Sequence, residues 1–202
     1  MKKLLFLVLI ALANTALADL TDKQKRILSM AYDKGRSIGL PVIIQGIVMQ
    51  ETHAGKINHG NRDGLRRFRK HDRPVGLMQV KPAAALHVMS EDPYMQWRWF
   101  KDVKRGKKVT WQKIRKLLLK NDVAAIEFGT AYFKIMLTKS KGNISKALAS
   151  YNLGYGNGLK LKQPHKHRYV RRVNKWITNE IMPMNKETDL EENENLTLQT
   201  IF

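Results

Sequence analysis

Cysteine is absent from all 202 residues, so neither disulfides nor thiolate chemistry is available and burial alone must hold the fold. Strand-like alternation is scarce, which argues against a sheet-based core. Acidic residues are few: 17 Asp+Glu stand against 37 Lys+Arg, for a formal charge of +20. So large an excess of one sign predicts a polyanionic partner. Only one long apolar run stands out, residues 4–13, preceded by Lys2 and Lys3 and followed by small residues at Ala16 and Ala18. That order is the secretory pattern, and the run is too short to span a bilayer. Residues 1–18 therefore read as a signal peptide cleaved before Asp19, and the mature chain is expected in the periplasm or cell envelope with no membrane span. Export disfavours nucleic acid as the polyanion and favours the anionic peptides, glycopolymers and head groups of the envelope.

Residues 19–182 read as one domain, mainly α, a single globular helical unit with little or no β structure. Residues 21–37 carry Ile27, Leu28 and Ala31 on one helical face, with Thr21 or Asp22 as cap. Pro41 suits the opening turn of a second helix, whose stripe of Ile43, Ile44, Ile47 and Val48 continues into Glu51. Between Gly55 and Pro74 lies a stretch rich in glycine and arginine without period, a candidate cleft wall. Residues 82–89 predict a short helix, and 97–120 one or two more. Asn121 caps a clearer helix with Ala125, Phe128, Gly129, Tyr132 and Met136 on one face. Residues 145–151 begin another. The last, 168–181, turns Val170, Val173, Trp176 and Ile177 inward and is expected to stop at Pro183. Residues 183–202 carry Glu187, Asp189, Glu191, Glu192 and Glu194, and read as a disordered acidic tail.

Glu51 is the residue with chemical interest. A carboxyl on an apolar stripe is disfavoured in its charged form, and a helix C-terminus pushes the same way. A carboxyl that keeps its proton near neutrality is what general acid catalysis needs. An exposed glutamate at a frayed helix end would look the same in this segment alone.

The company of Glu51 decides between these readings. Met49-Gln50-Glu51-Thr52, then Gly76-Leu77-Met78-Gln79, then Ala149-Ser150-Tyr151-Asn152-Leu153-Gly154, and finally Tyr169-Val170 occur in that order. Together they resemble the ordered motifs of the soluble lytic transglycosylase family, which has the lysozyme-like fold and is close to goose-type lysozymes. The resemblance covers roughly residues 20–181. It implies Glu51 as the catalytic acid/base, a glycan cleft lined by Thr52, Gly76, Leu77, Met78 and Gln79, and an approach to the site by Tyr151, Asn152 and Tyr169. Glutamine offers a donor and an acceptor to a sugar, and Tyr151 is placed either to pack on a sugar ring or to hydrogen-bond Glu51. The chain departs from the family pattern at Thr52, where serine is common, and at His165 and Lys166, which replace a glutamate-threonine pair.

The resemblance implies cleavage of peptidoglycan glycan strands to leave a 1,6-anhydromuramyl end, without metal or other cofactor. A hydrolase would need a second carboxylate, for which Asp63 and Asp72 are the candidates. A silent wall-binding or nucleic-acid-binding protein is the rival from another class. It draws on basic stretches at 62–73, 101–120 and 160–172 and on Trp97, Trp99, Phe100 and Trp111 for stacking. His53, His59 and His71 match no zinc spacing, and residues 61–64 lack the spaced acids of a calcium loop. Beyond glycan strands, the partners compatible with this chemistry are anionic wall polymers and a secretion, conjugation or phage-lysis apparatus.

Overall fold

A computed structural model describes residues 20–57, 73–101 and 108–186. The expected signal segment, Asp63, Asp72, His59, His71, residues 61–64 and the acidic stretch from 187 onward lie outside the described residues. The domain is mainly helical, as expected. Among the described residues the only β pairing is the isolated antiparallel bridge between Val75 and Val80.

Helix α1 (Asp22–Arg36) opens on a capping box. The Thr21 hydroxyl accepts from the Gln24 amide at 3.3 Å, and the Gln24 side chain accepts from the Thr21 amide at 3.1 Å. Its inward face is Ile27, Leu28 and Ala31, all fully buried. It packs along α2 (Pro41–Thr52), which begins with proline at its first turn. A run of residues from Ile44 to Met49 on α2 is buried on every face, the mark of a helix running through the core rather than over it. The helix stops where His53 and Ala54 both adopt left-handed backbone, φ 48° and 49°.

Helices α3 (Pro82–Glu91) and α4 (Pro93–Trp99) share Asp92, whose carboxylate caps α4 through the Tyr94 amide at 3.0 Å. Thr110 caps α5 (Trp111–Lys120) and Asn121 caps α6 (Asp122–Lys139). Helix α6 is the second core helix: Phe128, Phe133 and Met136 are buried, and it packs on α1, α3, α5 and α7 (Ile144–Leu153). A short α8 (Tyr155–Leu159) and a 3-10 turn, Pro164–Lys166, lead to α9 (Arg168–Trp176), which packs on α2 and α7. The outer side of α9 carries Arg168, Arg171, Arg172 and Lys175, all exposed, while Tyr169, Val170 and Val173 are buried.

Pro183 does not end this last helix. The backbone widens into a π turn over Ile177–Ile181 and then stays helical through 182–186. A proline ring ordinarily collides with the carbonyl four residues earlier, and the widened turn directly upstream relieves that collision. The continuation is anchored: the Asn185 side-chain amide donates to Gln45 of α2 at 3.1 Å.

Gly129 on α6 marks the tightest contact between a core helix and the Gly76–Gln79 segment. A methyl group there would lie 2.4 Å from the Met78 sulfur and 2.6 Å from its Cβ. Alanine improves helix propensity by about 1 kcal/mol, but overpacking a core contact costs about 1–3 kcal/mol. Because Cβ of Met78 cannot rotate away, Gly129→Ala is expected to lower the unfolding free energy, read as a reduced midpoint in urea.

Candidate active site

Glu51 occupies the last turn of α2 and is half-buried. The Tyr169 hydroxyl, brought in by α9, donates to its Oε1 at 2.8 Å. Tyr169 is buried, and burial, followed by the negative charge of Glu51, pushes its hydroxyl well above the ordinary tyrosine value of 10.0. It therefore remains a donor at any physiological pH. On either side of Glu51, α2 is gripped by Trp176: its indole donates to Gln50 Oε1 at 3.3 Å, and its ring meets His53 edge-on with centroids 4.7 Å apart. His53 is thus part of the wall behind the glutamate, and no cluster of potential metal ligands occurs among the described residues.

The Gly76-Leu77-Met78-Gln79 segment is a tight turn closed by the paired amides and carbonyls of Val75 and Val80, at 3.1 and 3.0 Å. Gly76 has φ 76°, and a Cβ there would sit 2.5 Å from the Leu118 carbonyl, so both backbone and space demand glycine. Two hydroxyls from different helices pin the turn. Thr52 of α2 donates to the Leu77 carbonyl at 3.0 Å, and Tyr151 of α7 donates to the Met78 carbonyl at 2.7 Å. Gln79 is half-buried at φ 48°, with its side-chain amide donating to Gly76 at 2.9 Å.

These positions revise several residue roles expected from the sequence. Thr52, Leu77 and Met78 are buried, so their side chains hold the turn against α2 and α6 instead of facing a ligand. Tyr151 is also buried, packed on Tyr132 and Phe133. Its hydroxyl binds a backbone carbonyl, and the tyrosine bonded to Glu51 is Tyr169. Half-buried Glu51 and Gln79 remain partly open to solvent, and Asn152 is exposed beyond Tyr151. His165 and Lys166 are exposed on the 3-10 turn one step before α9. Phe100 is buried and Trp99 half-buried with its indole on Glu127, which removes both as stacking surfaces.

One anchor escaped the sequence reading. Glu127 of α6, only 10% exposed, accepts from Lys34 of α1, from Trp99 at 2.8 Å and from Arg98 at 3.0 Å. An acid between Ile126 and Phe128 on a core helix was the available signal. A separate shallow cavity of about 240 Å³ lies between α3 and α6, lined by Val88, Asp92, Lys134 and Ile135 among others. Its lining includes none of Glu51, Gln79 or Tyr169.

The fold and this arrangement define a helical domain built around one glutamate with a buried phenolic donor. The Transglycosylase SLT domain family matches residues 37–174, more than half of the chain, and the chain belongs to that family. No curated protein and no solved structure matches it.

Two measurements test the site's construction. Thr52→Val keeps the shape but leaves the buried Leu77 carbonyl short of a donor, and should cost about 1–3 kcal/mol by chemical denaturation; Thr52→Ser should recover most of it. For the tyrosines the folded-state value is raised, so the stability they lend is fully present below about pH 10 and is lost as pH climbs toward that folded value. Wild-type melting temperature should therefore fall more steeply than that of Tyr151→Phe as pH rises above about 10.

Proposed function

We propose that this chain is a peptidoglycan lytic transglycosylase that cleaves the β-1,4 bond between N-acetylmuramic acid and N-acetylglucosamine, with Glu51 as its one acid/base. Family membership supports peptidoglycan as the substrate class. The observation that carries the residue assignment is the half-buried Glu51 carboxyl at a helix C-terminus, held at 2.8 Å by a tyrosine that stays protonated.

The neutral Glu51 carboxyl gives its proton to the bridging oxygen as the bond from the muramyl anomeric carbon breaks, and the leaving sugar departs as an alcohol. The muramyl acetamido oxygen shields the electron-poor carbon. Glu51, now a carboxylate, takes the proton from the sugar's own 6-hydroxyl as that oxygen closes on the anomeric carbon. The result is a 1,6-anhydro end, a reprotonated Glu51 and no water consumed. Tyr169 stabilises the carboxylate between the two proton transfers, when its hydrogen bond is to a full charge. Gln79, half-buried beside the pinned turn, offers amide and carbonyl to the acetamido or hydroxyl groups of the glycan. Thr52 and Tyr151 act by fixing that turn. Asn152 is the exposed polar group available to further sugars.

Export to the periplasm or cell envelope fits this substrate, and the basic-then-apolar pattern of residues 1–18 supports it. No helix among the described residues is long and apolar enough to cross a membrane. The excess of positive charge fits a wall whose stem peptides and glycopolymers are anionic.

Incubation with purified peptidoglycan followed by mass spectrometry of the released sugars tests the proposal. Wild type should yield anhydro ends, and Glu51→Gln should lose about two to four orders of magnitude in release. Asp63→Asn and Asp72→Asn should leave anhydro release intact. Hydrolysed ends that vanish in either aspartate variant would establish the hydrolase instead, full wall clearance by Glu51→Gln would reject Glu51 as the acid, and wall binding by wild type with no release of sugar ends would leave a binding protein. Tyr169→Phe, which removes a hydrogen bond to a charge worth about 1.5–3 kcal/mol, should lower kcat by roughly 10- to 100-fold while binding of glycan is preserved.

A further inference from the structure

Large aromatic side chains are seldom left open to water, and α4 leaves two open side by side. Tyr94 is 53% exposed and Trp97 61%. Their ring centroids are 5.5 Å apart with planes tilted by 35°, so they present one broad, shallow aromatic face. This face is braced. Arg98 Nη1 donates to the Tyr94 hydroxyl at 3.5 Å while its Nε pairs at 3.0 Å with Glu127, the nearly buried carboxylate of α6 that also holds the Trp99 indole. Asp92 fixes the start of the helix. Positive charge rims the face, with the Lys101 ammonium 4.9 Å from the centre of the Trp97 ring and the Arg98 guanidinium beside Tyr94. Tyr94 is fixed by this hydrogen-bond relay into the core and Trp97 lies against it, so the pair loses little freedom when something settles on it, which is the economy of a preorganised binding surface.

We propose that Tyr94 and Trp97 form a docking platform for the glycan strand of peptidoglycan, apart from the site at Glu51. This rests on the substrate reading above. Pyranose rings expose flat C–H faces that lie against aromatic rings, and the peptides carried by alternate sugars bear carboxylates that meet Lys101 and Arg98. A sugar on Tyr94 and its neighbour on Trp97 would place one such peptide beside the cationic rim. The platform holds polymer near the enzyme and takes no part in bond cleavage. A membrane surface is the lesser fit, because α4 presents only this one pair of rings and its short helix has Met95 turned into the core.

The experiment measures co-sedimentation of the full protein with insoluble peptidoglycan in the Glu51→Gln background, which prevents digestion during the assay. Tyr94→Ala with Trp97→Ala should weaken binding by about tenfold, and Trp97→Phe should retain most of it. In the Glu51-intact background the same double variant should digest short soluble glycan fragments at the wild-type rate and release less from intact wall. Its melting temperature should be unchanged, since both rings are exposed. Unchanged sedimentation of the double variant overturns the proposal, as does absence of wild-type binding to peptidoglycan. Loss of binding to anionic phospholipid vesicles without loss on peptidoglycan overturns it in favour of a membrane contact. If Glu51→Gln still digests wall while the platform variant still loses binding, the catalytic assignment fails and the platform stands.

Discussion

Everything near Glu51 depends on how the buried carbonyls of one four-residue turn are satisfied. The Gly76–Met78 part of this segment is buried between α2, α6 and α7, so its carbonyls need protein donors. Thr52 supplies one to Leu77 and Tyr151 supplies another to Met78. Because Thr52 directly follows Glu51, the first of these bonds sets the distance between the glutamate and the turn bearing Gln79. The second ties the same turn to α7, and α7 packs on α9, which delivers Tyr169 to the carboxyl. Three helices far apart in sequence are thereby locked to one point by single hydroxyls.

The Glu51 carboxyl accepts a hydrogen bond from the buried phenol of Tyr169. A buried tyrosine can donate a hydrogen bond without carrying charge, and burial beside Glu51 itself raises the tyrosine's resistance to ionisation. Cationic side chains line the outer side of α9 and flank the exposed rings of α4, where they are open to an anionic polymer. Glu127, a nearly buried carboxylate paired with Lys34 and Arg98, works as a structural anchor joining α1, α4 and α6.

The helices were legible because their signals are local. Thr21 and Asn121 cap through their own side chains, prolines open α2 and α3, and the buried positions recur at helical spacing, whereas the start of α4 at Pro93 and the Asn143 cap of α7 went unread. The end of the last helix was misread for a matching reason. Proline is a stop signal only if the preceding backbone is α-helical, and the π turn at Ile177–Ile181 depends on how α9 packs against α2, including the close approach of Ile177 to Gly46. The division of labour between the two tyrosines was equally illegible. Both sit on buried faces of helices, and only the packing of α7 and α9 decides which hydroxyl reaches a carbonyl and which reaches Glu51.

What the sequence by itself determined is the inventory: a helical domain without disulfides, a cationic surface, and a glutamate at the end of an apolar helix with its companion motifs in order. Periodicity, capping and charge are properties of neighbours in the chain, so they can be read there. Tertiary structure alone decided which motif residues face outward. It turned Thr52, Leu77, Met78 and Tyr151 into supports, brought Trp176 against Gln50 and His53, and braced Tyr94 through Arg98 and Glu127. Those outcomes rest on donors and acceptors separated by tens of residues, and such partners are chosen only when the core closes and every polar group inside it must find one.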